Sequence, residues 1–325
     1  HGRKHKHSWL SFGSCFFPLL FGRFTLFSLS LAASFHSSAF LGTKRPSQRR
    51  DRESGENCNM QEEDTSLAER LQHVKHKFLV LSGKGGVGKS TVSTQLALAL
   101  VKAGKKVGLL DIDLCGPSIP QLVGLKGKDI HKSSEGWVPV YADKEQRLSV
   151  MSIAFLVEDQ DAPVVWRGPK KSAVIKQFLK DVYWGPLDYL VIDTPPGTSD
   201  EHLSITEYLS SFQPDGAIIV TTPQGVSLAD VRKQISFCKK IGLPIVGVIE
   251  NMSGFVCPCC SEVTNIFSTG GGKAMAEDVG VPFIGAIPLD PNLTACGEHG
   301  ASFMDKFPNS VSLKVLAEWI QGLKD

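Results

Sequence analysis

Lys84, Lys89, Ser90, Asp111, Asp113, Asp193 and the cysteines at 257, 259 and 260 are the residues of this chain whose types and spacing suit chemistry. The first three lie in Gly83-Lys84-Gly85-Gly86-Val87-Gly88-Lys89-Ser90, followed by Thr91, which matches the phosphate-binding pattern G-x-x-x-x-G-K-[ST]. The glycines let successive backbone N–H groups turn inward on a phosphate, Lys89 reaches the terminal phosphates, and Ser90 offers a hydroxyl to Mg2+. Gly83 to Thr91 is therefore the candidate nucleotide cradle. A second chemistry lies far downstream. Cys257 and Cys260 form C-x-x-C, a spacing that lets two thiolates grip one metal centre, whereas a tetrahedral or cubane centre needs four ligands. No second C-x-x-C follows, Cys296 stands alone, and no histidine lies in the next twenty residues. One chain thus owns half a site, and a two-fold dimer would bring two halves together. Four thiolates suit zinc as well as iron, and a thioredoxin-like redox pair is the other reading of the spacing. Cys259, between the pair, is either spare or an alternative ligand.

These groups need elements to hold them. The apolar run Phe78-Leu79-Val80-Leu81 reads as a strand entering the loop, and Thr91 to Val101 as a helix leaving it, the context that gives the loop its meaning. Val107 to Leu110 reads as a buried parallel strand delivering Asp111 and Asp113 to its carboxyl end, where open α/β sheets hold ligands. Tyr189-Leu190-Val191-Ile192 runs likewise into Asp193-Thr194-Pro195-Pro196-Gly197. There Asp193 is expected to hold Mg2+, usually through water, and the Gly197 N–H to meet the γ-phosphate and sense hydrolysis. Further strands are expected at 148–152, 215–222, 243–250 and 281–287. Helices are expected at 65–75, after Trp166-Arg167-Gly168, and at 228–240, 269–279 and 311–323. The expected fold is α/β, a doubly wound, mostly parallel sheet flanked by helices.

The 325 residues are 42% hydrophobic and 21% charged, ample for a full core. The net charge of +2 hides an asymmetry: the first fifty residues carry eight Lys and Arg and no acid, which leaves −6 for the remainder. A mildly acidic body argues against broad nucleic-acid binding, which needs clustered cations. The eight cysteines, three of them within four residues, are spaced as ligands and not as a disulfide framework, and a phosphate-loop protein with reduced thiols reads as intracellular. No stretch reaches the ~18 apolar residues of a membrane span. At the closing helix Lys314 and Lys324 are offset by Glu318 and Asp325, which favours core packing over stable membrane association. Residues 1–59 look foreign to the rest of the chain, as translated upstream sequence first, a mitochondrial presequence second and a secretory signal as the third reading, leaving 60–325 as one nucleotide-binding domain with a C-x-x-C insert.

Lys84 brings in a resemblance, because an ordinary phosphate loop has no need of a lysine after its first glycine. The loop resembles the deviant Walker A loop, G-K-G-G-x-G-K-[ST], of the class that includes MinD, ParA, nitrogenase iron protein and the Mrp-type ATPases. From about His76 onward the chain is similar to the Mrp/Nbp family of iron-sulfur cluster scaffold ATPases. The similarity is carried by the loop, by Asp-Ile-Asp-Leu-Cys-Gly-Pro-Ser-Ile-Pro, Val-Trp-Arg-Gly-Pro-Lys-Lys, Asp-Thr-Pro-Pro-Gly-Thr-Ser-Asp-Glu-His and Glu-Asn-Met-Ser-Gly-Phe, and by Cys-Pro-x-Cys. The resemblance implies ATP as the nucleotide and Lys84 reaching across a two-fold axis to the partner's ATP. It implies Asp113 as the switch I acid that orients the attacking water, and Asn251 as the reader of the adenine edge. It also implies weak ATP hydrolysis coupled to a labile [4Fe-4S] cluster held by Cys257 and Cys260 of two chains, and transfer of that cluster to cytosolic and nuclear apoproteins. With only Cys15 and Cys58 before the loop, the chain looks like a shorter family member. Such a member forms a homodimer, and a heterotetramer with the longer partner that bears an N-terminal four-cysteine motif. The implied location is the cytoplasm, with the mitochondrion next if residues 1–59 are a presequence.

Overall fold

The computed structural model describes residues 71–114, 116–156, 168–197 and 214–323, and all structural statements concern these. The expected leader, Cys115 and Trp166-Arg167 lie outside them.

Strands β1 (Val74–Ser82), β2 (Val107–Asp111), β6 (Leu148–Ser152), β7 (Leu187–Asp193), β8 (Gly216–Thr221), β9 (Ile245–Val256) and β11 (Phe283–Leu289) form the parallel body of a sheet. Two short strands join it antiparallel, β5 (Val140–Tyr141) on β6 and β10 (Val263–Thr264) on β9. From edge to edge the order is β11, β9, β8, β1, β7, β2, β6, β5, with β10 beside the far end of β9. A separate antiparallel pair, β3 (His131–Ser133) and β4 (Gly136–Val138), sets Trp137 edge-on against Phe178, ring centres 5.4 Å apart.

Most of these strands read as unbroken apolar runs because both faces of the sheet are covered. Neighbouring side chains on one strand enter opposite cores. Leu79 and Leu81 pack with Leu110, Ile192 and Ile219 under α3 (Gly168–Asp181), α4 (Gly225–Lys240) and α5 (Gly271–Val279). Phe78 and Val80 pack with Leu109, Val191 and Ile218 under α1 (Lys89–Lys102) and α8 (Val311–Gln321). Each fully buried Leu, Ile or Phe contributes roughly 1.5–3 kcal/mol of transfer free energy. The described residues also include the short α-helices α2 (Ile119–Leu122), α6 (Pro291–Glu298) and α7 (Phe303–Lys306).

The expected doubly wound sheet is therefore the observed one, with differences at its ends. Of the helix expected over 65–75 only 71–75 lie among the described residues, and there Val74 pairs with Leu187 and opens β1. The strand expected to end at Glu250 runs on to Val256, because β11 and β10 continue to pair with it beyond the end of β8. The C-terminal helix packs Leu313, Leu316 and Ile320 into the core, as its pattern requires. No helix among the described residues is long and apolar enough to cross a membrane.

Candidate functional site: a nucleotide cradle and a cysteine knuckle

Between β1 and α1 the chain turns through Gly83–Gly88, with Gly86 and Gly88 at φ 78° and 79°. Gly88 caps α1 without a side-chain hydrogen bond, so the first-turn N–H groups are left for an anion. Space also dictates glycine here. A Cβ on Gly83 would meet the Asp230 backbone of α4 at 2.6 Å, and one on Gly88 would meet Asn251 Nδ2 at 2.2 Å. The loop walls a cavity of about 250 Å3 that Lys84, Asp113, Ser118 and Pro196 also line.

Below the loop lies a buried charge cluster. Lys89 and Asp193 are 6% and 0% exposed, with Nζ 2.7 Å from Oδ1. Ser90 Oγ donates to Asp193 Oδ2 at 2.6 Å, and Ser93 Oγ donates to Oδ1 at 2.7 Å. Register places Asp111 of β2 directly beside Asp193 of β7. Asp111 accepts from Ser152 Oγ and from the Asp113 N–H. Burial first, and then the Asp193 charge, push the Asp111 carboxyl up to about 8, against the pull of Lys89 and those two hydrogen bonds. Two neighbouring buried carboxyls facing one lysine hold their site ready for further positive charge. A hydroxyl beside a carboxylate is the hard-oxygen donor set that Mg2+ takes, so Ser90 and Asp193 fit the ion expected of them.

Toward β9 a second cavity of about 270 Å3 adjoins the first, and Gly88, Thr91 and Ser118 border both. Asn251, Leu289, Leu293 and Thr294 also line it. Asn251 is buried, and its Nδ2 donates to the Val87 carbonyl at 2.8 Å. The residue expected to read a base is here a brace on the phosphate loop, at the mouth of a base-sized cavity. Gly197, at φ 90°, gives its N–H to the Ser82 carbonyl at 2.9 Å, so the contact expected with a γ-phosphate is made within the chain.

Beyond Asn251 the β9–β10 hairpin carries Cys257-Pro258-Cys259-Cys260 in its turn. Cys257 N–H donates to the Glu262 carbonyl, and Ser261 N–H to the Cys257 carbonyl, at 2.9 and 2.8 Å. Hydrogen bonds from the Cys260 and Cys259 N–H groups, and from the Cys260 thiol, hold the Cys257 thiol below its ordinary range. Cys259 and Cys260 are exposed and Cys257 half-buried, all of them free. No helix follows the turn, so the thioredoxin-like reading fails on geometry. Among the described residues no cluster of three or more His, Cys, Asp or Glu groups could hold a metal ion.

The family model described as ParA, NUBPL iron-transfer P-loop NTPase, matches residues 73–324. The chain belongs to this family. Among its relatives, a Dictyostelium discoideum protein named cytosolic Fe-S cluster assembly factor NUBP2 homolog is 62% identical over 252 residues, 78% of this chain and 95% of that protein. The human protein named cytosolic Fe-S cluster assembly factor NUBP2 is 57% identical over 255 residues, 78% and 94% of the two chains. A solved nucleotide-binding protein from Archaeoglobus fulgidus, in complex with ADP, is 40% identical with a TM-score of 0.64 over 73% of this chain and 91% of its own. MinD of Pyrococcus horikoshii, complexed with Mg-ADP, is 25% identical with a TM-score of 0.54, over 76% and 96% of the two chains.

Within this NTPase family fold, the structure brings Gly83–Thr91, Asp113 and Asn251 to one pair of adjoining cavities, with Asp193 beneath the loop. Cys257 and Cys260 stand on the hairpin that continues β9. Ser93 is not among the expected site residues, although its spacing of one helical turn from Ser90 puts both hydroxyls on the face of α1 that meets Asp193.

Proposed function

We propose that this chain is an ATP-dependent scaffold of the cytoplasm that assembles a labile [4Fe-4S] cluster and passes it to apoproteins, with the cluster shared between Cys257 and Cys260 of two chains. The observation that carries this reading is a phosphate loop and a two-thiol knuckle on one chain. A polarised pair of thiols, one of them tuned toward thiolate, suits iron, and a half-site calls for a second copy to supply the other two ligands. The names of the NUBP2 relatives support the same assignment.

In this mechanism the loop N–H groups and the first turn of α1 take the triphosphate. Lys89, now paired with Asp193, turns to the terminal phosphates, and Ser90 and Asp193 would hold Mg2+, which would neutralise phosphate charge. Asp113, in the cavity wall, orients the attacking water, and Lys84 contacts the ATP of the partner across the dyad. Hydrolysis is slow and serves the cargo: loss of the γ-phosphate frees the segments carrying Asp113 and Gly197, and the grip on the cluster changes. Pairing with the longer, N-terminal-cluster-bearing relative uses the same symmetry and yields the heterotetramer.

Anaerobic reconstitution with iron and sulfide, read by visible absorption, tests the assignment. The wild-type chain should turn brown with about four iron per dimer, and Cys260→Ser should stay colourless while keeping its fold by circular dichroism. A colourless wild-type sample carrying zinc would overturn the iron-sulfur reading. Normal loading of Cys260→Ser would overturn the ligand assignment.

A further inference from the structure

The cradle and the knuckle share a strand. β9 has twelve residues, and only its first half is paired by β8, whose ladder ends at Thr221 with Glu250. Asn251, the next residue, is fixed to the phosphate loop by its hydrogen bond to Val87 and by its fit over Gly88. Immediately after it the backbone breaks form. Met252 sits at φ 57°, a left-handed conformation that L side chains rarely adopt, and Gly254 at φ 91°. The ladder to β11 skips here: Asn251 pairs with Ile287 and Phe255 with Leu289, so three residues of β9 face one of β11. Ser253 Oγ donates to the buried Glu250 carboxylate, which also takes the N–H groups of Gly270 and Gly272 at the start of α5. Past this bulge regular pairing resumes at Phe255 and Val256 with β10, and the ribbon delivers Cys257. Asn251 on β9 and Cys257, the first residue beyond it, are thus six residues apart, at most ~20 Å of extended chain.

We infer that β9 is the link by which an occupied phosphate loop sets the geometry of the Cys257–Cys260 knuckle, with Asn251 as the contact that feels the loop and Met252–Gly254 as the hinge. The inference rests on the proposed use of that knuckle as a metal site and adds how it is regulated. Phosphate binding reorients the peptides of the loop, and the Val87 carbonyl is one of those peptides. Asn251 must follow it or lose its bond. A bulge held in a disfavoured left-handed conformation has a second, extended conformation within reach, and a shift there swings the rigid ribbon beyond it. Such coupling is reciprocal, so metal at the knuckle must alter nucleotide affinity by the same factor.

The test uses the full chain and cobalt(II) alone as probe, followed by its thiolate charge-transfer absorption, with and without a saturating Mg2+ complex of a non-hydrolysable ATP analogue. Saturation is set for each variant by a separate nucleotide titration. In the wild type the nucleotide should change the cobalt dissociation constant at least fivefold, and cobalt should change the nucleotide dissociation constant equally. Met252→Gly, which relieves the left-handed strain, and Asn251→Ala, which cuts the tie, should each bring that factor below twofold, while retaining the cobalt–thiolate band. An undiminished factor in Met252→Gly, or no factor in the wild type, overturns the inference, and the former result routes the coupling through the segments carrying Asp113 and Gly197. Absence of any cobalt–thiolate band in the wild type would instead overturn the metal-site reading itself.

Discussion

Replacing Gly88 by alanine isolates the contact between β9 and the phosphate loop. The residue sits at φ 79°, where an L side chain costs about 1–2 kcal/mol. Its new Cβ would lie 2.2 Å from Asn251 Nδ2, so Asn251 must leave the Val87 carbonyl, and an unpaired buried acceptor costs a further ~1–3 kcal/mol. Gly88→Ala should therefore destabilise the nucleotide-free chain by about 2–5 kcal/mol. Gly86→Ala is the reference, because Gly86 has the same backbone sign at φ 78° with nothing within 4 Å of the added carbon, and should cost only about 1–2 kcal/mol. The decisive comparison is made in the Asn251→Ala background, where the obstructing amide is gone and Gly88→Ala should cost no more than Gly86→Ala does. Urea denaturation of the wild type and these four variants, read as midpoint times slope, supplies the numbers. If Gly88→Ala costs the same with and without Asn251, the amide is not what fills that space and the steric fit between loop and strand is refuted.

Three other outcomes are expected. Asp193→Asn leaves the buried Lys89 ammonium without its partner and should cost roughly 3 kcal/mol or more by the same denaturation assay, besides abolishing Mg2+-dependent ATP turnover; unchanged stability would mean that the pair is not intact in solution. Asp188, which accepts from Lys75 Nζ and from the Lys106 N–H, has its carboxyl held below the ordinary value by those contacts. Its contribution is present above the unfolded-state value and is lost as pH falls through the depressed folded value, so the wild type should lose stability below about pH 4 more steeply than Asp188→Asn does, and parallel curves would contradict the assignment. Among the described thiols, Cys257 should be alkylated first at pH 7, whereas Cys238, whose thiol burial pushes up to about 12, should react only on unfolding; mass-mapped labelling times that reverse this order would refute the burial and hydrogen-bond account.

The strand-loop-helix core is legible in the sequence because its signals are local: an apolar run, a fixed glycine spacing and a helical pattern occupy adjacent stretches of chain. The acids at the ends of β2 and β7 are legible for the same reason, since each follows its own apolar run. What escapes is what other segments decide. Asn-Met-Ser-Gly after Glu250 reads as a turn, and only pairing with β11 and β10 keeps β9 going through it. Asn251 is expected to face a base, but nothing local foretells a hydrogen bond to a carbonyl 164 positions away. The need for glycine at Gly83 comes from α4, itself distant in sequence. Pro291 after Asp290 is a usable start signal for α6, where the Asp290 side chain caps Asn292, yet the helix it opens is too short to announce itself by an apolar period.

Asn251 on β9, the loop on β1, Asp193 on β7 and Asp111 on β2 stand along five neighbouring strands, about 4.8 Å per step and so ~19 Å from end to end. A nucleotide laid across that edge puts its base at one extremity and its terminal phosphate at the other, and the cysteine ribbon hangs from the base extremity. Through β9 the ribbon would register vacancy against occupancy of the loop, while the difference between two and three phosphates would reach it by the segments carrying Asp113 and Gly197.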